Sequence, residues 1–211
     1  MKVEKEQKIM SLENREKITK GALELFLSEG IKMVTMDKIA ASLSVSKRTI
    51  YEQFADKEEL VSECLALFKK ENDEQRAEIE RTSENSFVFL LRMFQVGFMK
   101  LNKINLRFVA DVETLFPEKI KQNKLNRPAQ ITQFSELIRK SQEDGYIIPT
   151  LSSEVLATVY YGMISSLRDK ESYDYSAVSP KDVLRMLCSI YFRGTATEKG
   201  MKLITQYIEM V

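Results

Sequence analysis

Between Leu43 and Phe54 the chain reads Leu43-Ser44-Val45-Ser46-Lys47-Arg48-Thr49-Ile50-Tyr51-Glu52-Gln53-Phe54, residue types that could read nucleic acid at this spacing. Ser46 is a good N-cap, because its hydroxyl can accept from the free N–H groups of the turn that follows. Ile50 and Phe54 stand four apart and share one helical face, so Lys47, Arg48, Thr49, Tyr51 and Glu52 cover the rest. A helix this short cannot hold its shape alone and must lean on neighbours through Ile50 and Phe54. What stays exposed is cationic, hydroxyl-rich and aromatic, a surface of the kind that contacts phosphates and base edges.

The elements that position this stretch are legible around it. From Ser11 to Glu29 the pattern is helical, with Ile18, Ala22, Leu25 and Phe26 on one apolar stripe. Gly30 stops that helix where a left-handed residue is wanted. Thr35 caps a second, short helix whose buried face is Met36, Ile39, Ala40 and Leu43. The turn Ser44-Val45 puts Val45 into a small core. Asp56-Lys57-Glu58-Glu59 is a capping-box variant with acidic residues at a helix N-terminus, opening a long helix that carries Leu60, Cys64, Leu67 and Phe68 on one face. Ahead of all this, residues 1–11 are charged and without periodicity, which predicts a flexible arm or a frayed helix start.

Composition narrows the class. The chain has 211 residues, 44% hydrophobic and 30% charged, the balance of a globular domain or two with material for a core. Only seven glycines and four prolines occur, while Leu, Ala, Lys, Glu and Met are plentiful, so an all-α fold is expected. The net charge of +1 hides any local asymmetry and argues neither for nor against nucleic acid. Histidine is absent, which removes the commonest general base and metal ligand. Cys64 and Cys188 are far apart in sequence, fit a reducing compartment and give no metal-ligand spacing. The apolar run Val155 to Leu167 is too short to span a bilayer, and Met1 to Ile9 lacks the apolar core of a signal peptide. The expectation is a cytoplasmic protein with neither metal nor cofactor.

Three short helices followed by a long fourth, with these residues, resemble the tetracycline-repressor (TetR) family of bacterial regulators. The resemblance rests on Phe26 and Gly30, then Thr35, Ile39-Ala40, Val45-Ser46-Lys47-Arg48-Thr49-Ile50-Tyr51, Phe54 and Asp56-Lys57-Glu58-Glu59-Leu60. Ser44 departs from it, since family members very often have glycine there; at positive φ serine costs about 1 kcal/mol. The implied organisation is an arm over 1–11, a helix-turn-helix domain over 12–57 with its DNA-binding motif at 35–54, and a helical regulatory and dimerisation domain over 58–211. Resemblance also places roles. Thr35 would meet a phosphate at the start of the second helix, and Lys47, Tyr51 and Lys57 would contact backbone phosphates. Ser46 belongs to the same surface, and Arg48 and Thr49 are the candidates for base edges, Arg48 suiting guanine O6 and N7. Glu52 could accept from a cytosine amine, pair with Arg48, or stay solvated.

Beyond residue 75 the resemblance lies in architecture. Glu71 to Glu84 is charged and leads the fourth helix toward a loop. Ser86 to Lys103 is apolar nearly all round and should be buried on several sides. Ile104 to Phe116 follows as another helix, ended by Pro117. Residues 118–127 are basic, a short surface helix or connector. Pro128 starts a fresh helix or kinks a continuous one, the start being preferred. Ser152 caps a further helix, Ser179-Pro180 starts the next, and Met201 to Val211 closes the chain.

The two apolar helices after Ser152 and Ser179 are what the resemblance implies for a dimer interface, with Val155, Val159, Gly162, Met163, Ser166, Val183, Leu184, Leu187 and Tyr191. Dimerisation also has a physical basis of its own. One short recognition helix discriminates too few base pairs, whereas two copies on a two-fold axis read a palindrome. TetR-like proteins usually enclose a small-molecule pocket, for which Phe68, Phe94, Phe98, Met99, Phe108, Phe116, Tyr160 and Met163 are candidate lining, implying an apolar or amphipathic effector. The function expected is a ligand-responsive regulator, a repressor first, binding double-stranded operator DNA as a homodimer. The alternatives are the same fold controlled by a protein partner, and a helical enzyme, for which no paired catalytic constellation stands out.

Overall fold

The computed structural model describes residues 2–101, 103–167 and 177–208, the side chains of 2–11 and 208 excepted. Among these the chain forms eleven helices: α1 (Lys2–Glu29), α2 (Met36–Leu43), α3 (Lys47–Tyr51), α4 (Lys57–Thr82), α5 (Ser86–Leu101), α6 (Leu106–Leu115), α7 (Pro117–Leu125), α8 (Arg127–Glu143), α9 (Ser153–Ser166), α10 (Pro180–Thr195) and α11 (Glu198–Ile208). An isolated bridge joins Ile147 to Ala196, and the fold is all-α as expected. No helix among the described residues is long and apolar enough to cross a membrane. The chain divides into two compact units, unit 1 of Met1–Gln75 with Lys103–Pro117 and unit 2 of Arg76–Asn102 with Glu118–Val211.

Unit 1 is built on the predicted stripe. Ile18, Ala22 and Phe26 of α1 meet Ile39 of α2, Ile50, Phe54, and Leu60, Val61 and Cys64 of α4 in one buried cluster. The helical backbone begins at Lys2 rather than Ser11; the arm expected over 1–11 therefore has a helical main chain. Periodicity misses such a start because a Lys/Glu-rich segment has no apolar stripe to count. α4 ends at Thr82, within the charged stretch expected to lead it toward a loop, with Lys69–Asp73 and Lys70–Glu74 one turn apart.

α6 belongs to unit 1, although the sequence reading placed it within the 58–211 domain. Its docking is polar. The last carbonyls of a helix have no partner of their own, and two of them on α1 find one in Asn105: its backbone N–H donates to Leu27 O at 2.7 Å and its amide to Ser28 O at 3.0 Å. Asp111, buried, accepts from the Lys32 N–H at 2.9 Å, with the Lys32 ammonium 3.6 Å away. Gly30 has φ 95°, the left-handed stop expected of it, and a Cβ there would also lie 2.9 Å from the Cβ of Arg107 on α6.

Unit 2 has an aromatic core. α5 buries Phe87, Val88, Phe89, Leu90, Leu91, Phe94 and Phe98, the several-sided burial its composition predicts. Phe87 stacks on Tyr146 at 5.5 Å, and Phe94 lies 6.1 Å from Phe192 of α10. Pro117 opens α7, a helix that buries nothing, and Pro128 lies in the first turn of α8, the start preferred above. α11 begins at Glu198, before the expected Met201, with Thr197 Oγ1 accepting from Gly200 N–H at 3.2 Å. The last three residues of the helix expected over 201–211 lie outside the described residues.

Candidate nucleic-acid interface and effector cavity

α3 is shaped from both ends. Thr35 caps α2, its Oγ1 accepting from Lys38 N–H at 3.1 Å. Ser44 ends α2 with φ 55° and ψ 41°, so a serine occupies a left-handed position where glycine is less strained by about 1 kcal/mol. Ser46 then caps α3 as expected: its Oγ accepts from Thr49 N–H at 3.0 Å and lies 2.8 Å from the Thr49 hydroxyl. Ile50 and Phe54 are fully buried beneath the helix. Above them Arg48 is 89% exposed along its side chain and Tyr51 is 47% exposed. The polar face therefore points to solvent.

Its cations are held loosely. Arg48 Nε pairs with Glu52 at 2.9 Å, one of the arrangements left open for that glutamate. Lys47 Nζ lies 3.0 Å from Asp37, whose hydrogen bond raises the lysine pKa. Exposed pairs of this type contribute little and exchange readily for a phosphate or a base edge. Lys57 is more firmly placed. Its Nζ donates to Ile31 O at 2.6 Å, and desolvation lowers its pKa. Two of its three protons remain for an external acceptor.

Sequence reasoning missed Arg15. Its guanidinium sits 4.3 Å over the Phe54 ring, donates to Gln53 O, and pairs with Glu59 and Glu63 of α4 at 2.9 Å each. One side chain thus fastens α1 to the end of the α3 segment and the start of α4. Glu59 is fixed in turn by the Ala55 N–H at 2.7 Å while its own N–H donates to Asp56, the capping-box variant read above. Nothing local marks Arg15, because its partners lie 38 to 48 residues away.

Unit 2 holds a cavity of about 140 Å3. Phe89, Leu90, Met93 and Leu137 form its apolar wall. Phe134 and Tyr160 stack at 4.4 Å, and Tyr161 meets both edge-on at 5.8 and 5.9 Å. Arg76, Gln130 and Gln133 complete the lining.

With these geometries in place, the helix-turn-helix segment can be set beside known proteins. A family model described as bacterial regulatory proteins, tetR family, matches residues 18–64, which hold α2, α3 and the turn between them. Over that segment the chain is similar to the tetR family. Its fold is also that of solved regulators. A transcriptional regulator from Saccharomonospora viridis, solved in complex with choline, is 19% identical, with 88% of this chain and 99% of that one covered at a TM-score of 0.68. A TetR-family regulator from Agrobacterium tumefaciens is 11% identical, covering 89% and 100% at 0.66. The ketosteroid regulator KstR2 of Mycobacterium tuberculosis is 20% identical, covering 87% and 95% at 0.55. No curated protein matches the sequence.

Against the TetR expectation the other assigned residues fall as follows. Of the eight proposed pocket residues, Phe68, Phe108 and Phe116 pack in the unit 1 core, Phe68 and Phe108 edge-on at 6.2 Å. Phe94, Phe98, Tyr160 and Met163 pack in unit 2, and Met99 is 55% exposed. Only Tyr160 of the eight lines the unit 2 cavity. Apolar spacing marks core and lining alike. Of the proposed pairing residues, Val155 and Val159 are 60% and 52% exposed, Gly162 is exposed, and Met163, Ser166, Val183 and Leu187 are half-buried. Leu184 and Tyr191 are corrected to the core: both are buried, and the Tyr191 hydroxyl donates to Leu156 O at 2.9 Å. The apolar residues that α10 leaves outside are Met186 and Ile190, each 62% exposed, which an apolar count cannot separate from the inward face.

Proposed function

We propose that this chain is a TetR-family regulator that binds a palindromic operator as a homodimer, α3 of each copy in a major groove, and that a small molecule held in unit 2 releases it. The reading makes it a repressor. The observation that carries it is the exposed polar face of a five-residue helix standing on two fully buried residues, inside the segment that matches the family. Arg48 and Thr49 read base edges; Lys47 and Tyr51 hold phosphates beside them, with Ser46 fixing the start of the helix. Thr35 and Lys57 meet phosphates from the first turns of α2 and α4. Val155 and Val159 on α9, with Met186 and Ile190 on α10, supply two exposed apolar pairs four residues apart for the second copy.

Effector control is supported by the cavity of unit 2 and by the solved relative that carries choline. It works as a population shift: a ligand preferring the spacing that does not fit DNA lowers operator affinity in proportion to that preference. α4 carries the message, since it contributes residues to unit 1 up to Gln75 and to unit 2 from Arg76.

The test is selection of bound DNA from a random library, followed by binding curves on the selected site. Arg48→Ala should cost roughly 1–3 kcal/mol per contact and relax one base position; equal loss on every sequence would make Arg48 a phosphate contact. Ile190→Glu should give monomers in sedimentation and abolish binding to a palindrome while sparing the fold. A dimer that survives this change removes α10 from the pairing surface.

A further inference from the structure

We infer that the cavity between the end of α4, α5, α8 and α9 is a site for a compact aromatic carboxylate, its ring against Phe134 and Tyr161 and its carboxylate on Arg76. The inference rests on the effector reading above and gives that site its ligand class.

Size comes first. A cavity near 150 Å3 admits a molecule the size of benzene, and this one is about 140 Å3. Its aromatic end is already arranged as rings arrange with one another, one stacked pair and two edge-on contacts. A further flat ring extends that set.

Charge decides the rest. Arg15, Arg48, Arg81, Arg139 and Arg185 each pair with a carboxylate. Arg76 has no such partner among the described residues, although Glu80 lies one turn along the same helix. Among the described residues no Asp or Glu lines the cavity. The Gln130 and Gln133 side-chain amides and the Tyr160 and Tyr161 hydroxyls have no protein hydrogen bond among the described residues either. A lining with one uncompensated guanidinium, two amides and two phenols offers donors in excess, which suits an anion and repels a cation. Arg127, 5.6 Å from the centre of the Tyr161 ring, adds to the positive field.

The test is calorimetric titration of the full-length protein with benzoate, benzyl alcohol and benzylamine, three single-ring probes that differ in charge. Benzoate should bind tightest and benzylamine not measurably. Arg76→Gln, at an exposed position, should keep the melting temperature, weaken benzoate about tenfold and leave benzyl alcohol unchanged. Phe134→Ala should weaken benzoate and benzyl alcohol together. Absence of benzoate binding, or equal benzoate affinity in the Arg76→Gln protein, would overturn the inference. Binding to the selected DNA, measured with each probe, separates the two readings. Benzoate bound at this cavity with operator affinity unchanged upholds the site and removes the effector role. Release of DNA by benzylamine upholds the effector role and overturns the anionic class.

Discussion

In unit 1 Arg15, Lys57 and Asp111 are each tied to a backbone or carboxylate partner, whereas in unit 2 the Arg76, Gln130 and Gln133 side chains line a cavity without one among the described residues. The cores differ in the same sense. Beneath α3 unit 1 buries Ile50, Phe54 and Ile39 fully, and its own groove of about 420 Å3 lies among Leu12, Arg15, Thr19, Glu63 and Lys70. Unit 2 leaves Phe134, Tyr160 and Tyr161 half-buried around a smaller volume with an aromatic lining. A helix that must present its polar face at a fixed angle needs every supporting group satisfied. A site that must admit a ligand needs polar groups whose partner is still to come. The thiols follow their surroundings in both units: burial pushes Cys64 and Cys188 up to about 12, so neither is a nucleophile at neutral pH.

Substitutions can break this contrast, the largest first. Phe54→Ala removes a fully buried ring and the seat of Arg15, and should destabilise unit 1 by about 3–5 kcal/mol in denaturant unfolding. Phe134→Ala, beside existing empty volume, should cost about 1–2 kcal/mol. Equal losses would mean that unit 2 is packed as tightly as unit 1. Arg15→Met should come next, lowering stability by about 1–3 kcal/mol and weakening DNA binding without any change in sequence preference, because it fastens the α3 segment and touches no base. A changed preference would place Arg15 at the DNA instead.

The same clamp predicts an acid limb. Glu59 is held below its ordinary value of 4.5, chiefly by the Ala55 N–H and then by Arg15. A lowered carboxylate stabilises the fold above its ordinary pKa, and that contribution is lost as pH falls through the lower folded value. Melting temperature against pH should therefore fall less steeply below about 4.5 in Glu59→Gln than in the parent; parallel curves would detach Glu59 from the clamp. The smallest change is Ser44→Gly, which relieves a left-handed serine and should stabilise unit 1 by up to about 1 kcal/mol. A loss would show that the native φ is not strained.

Local rules made much of unit 1 legible. Ser46, Ile50 and Phe54 declare the cap and the buried face of α3 through spacing alone, and Gly30 and Thr35 mark a stop and a start. The same rules found the α6 helix but not its place in unit 1, because Asn105 and Asp111 act on residues about 80 positions earlier. They also mixed Leu184 with Val183, since an amphipathic count finds apolar residues without saying which neighbour they meet.

By itself the sequence determined the helices, their caps and the face that α3 shows to solvent, since each depends on residues within a turn or two. Tertiary structure alone decided that Arg15 clamps α3, that α6 joins unit 1 and that Arg76 shares a cavity with Tyr160 and Tyr161. Those are encounters between residues far apart in the chain, fixed by how whole helices pack, and no local period encodes them.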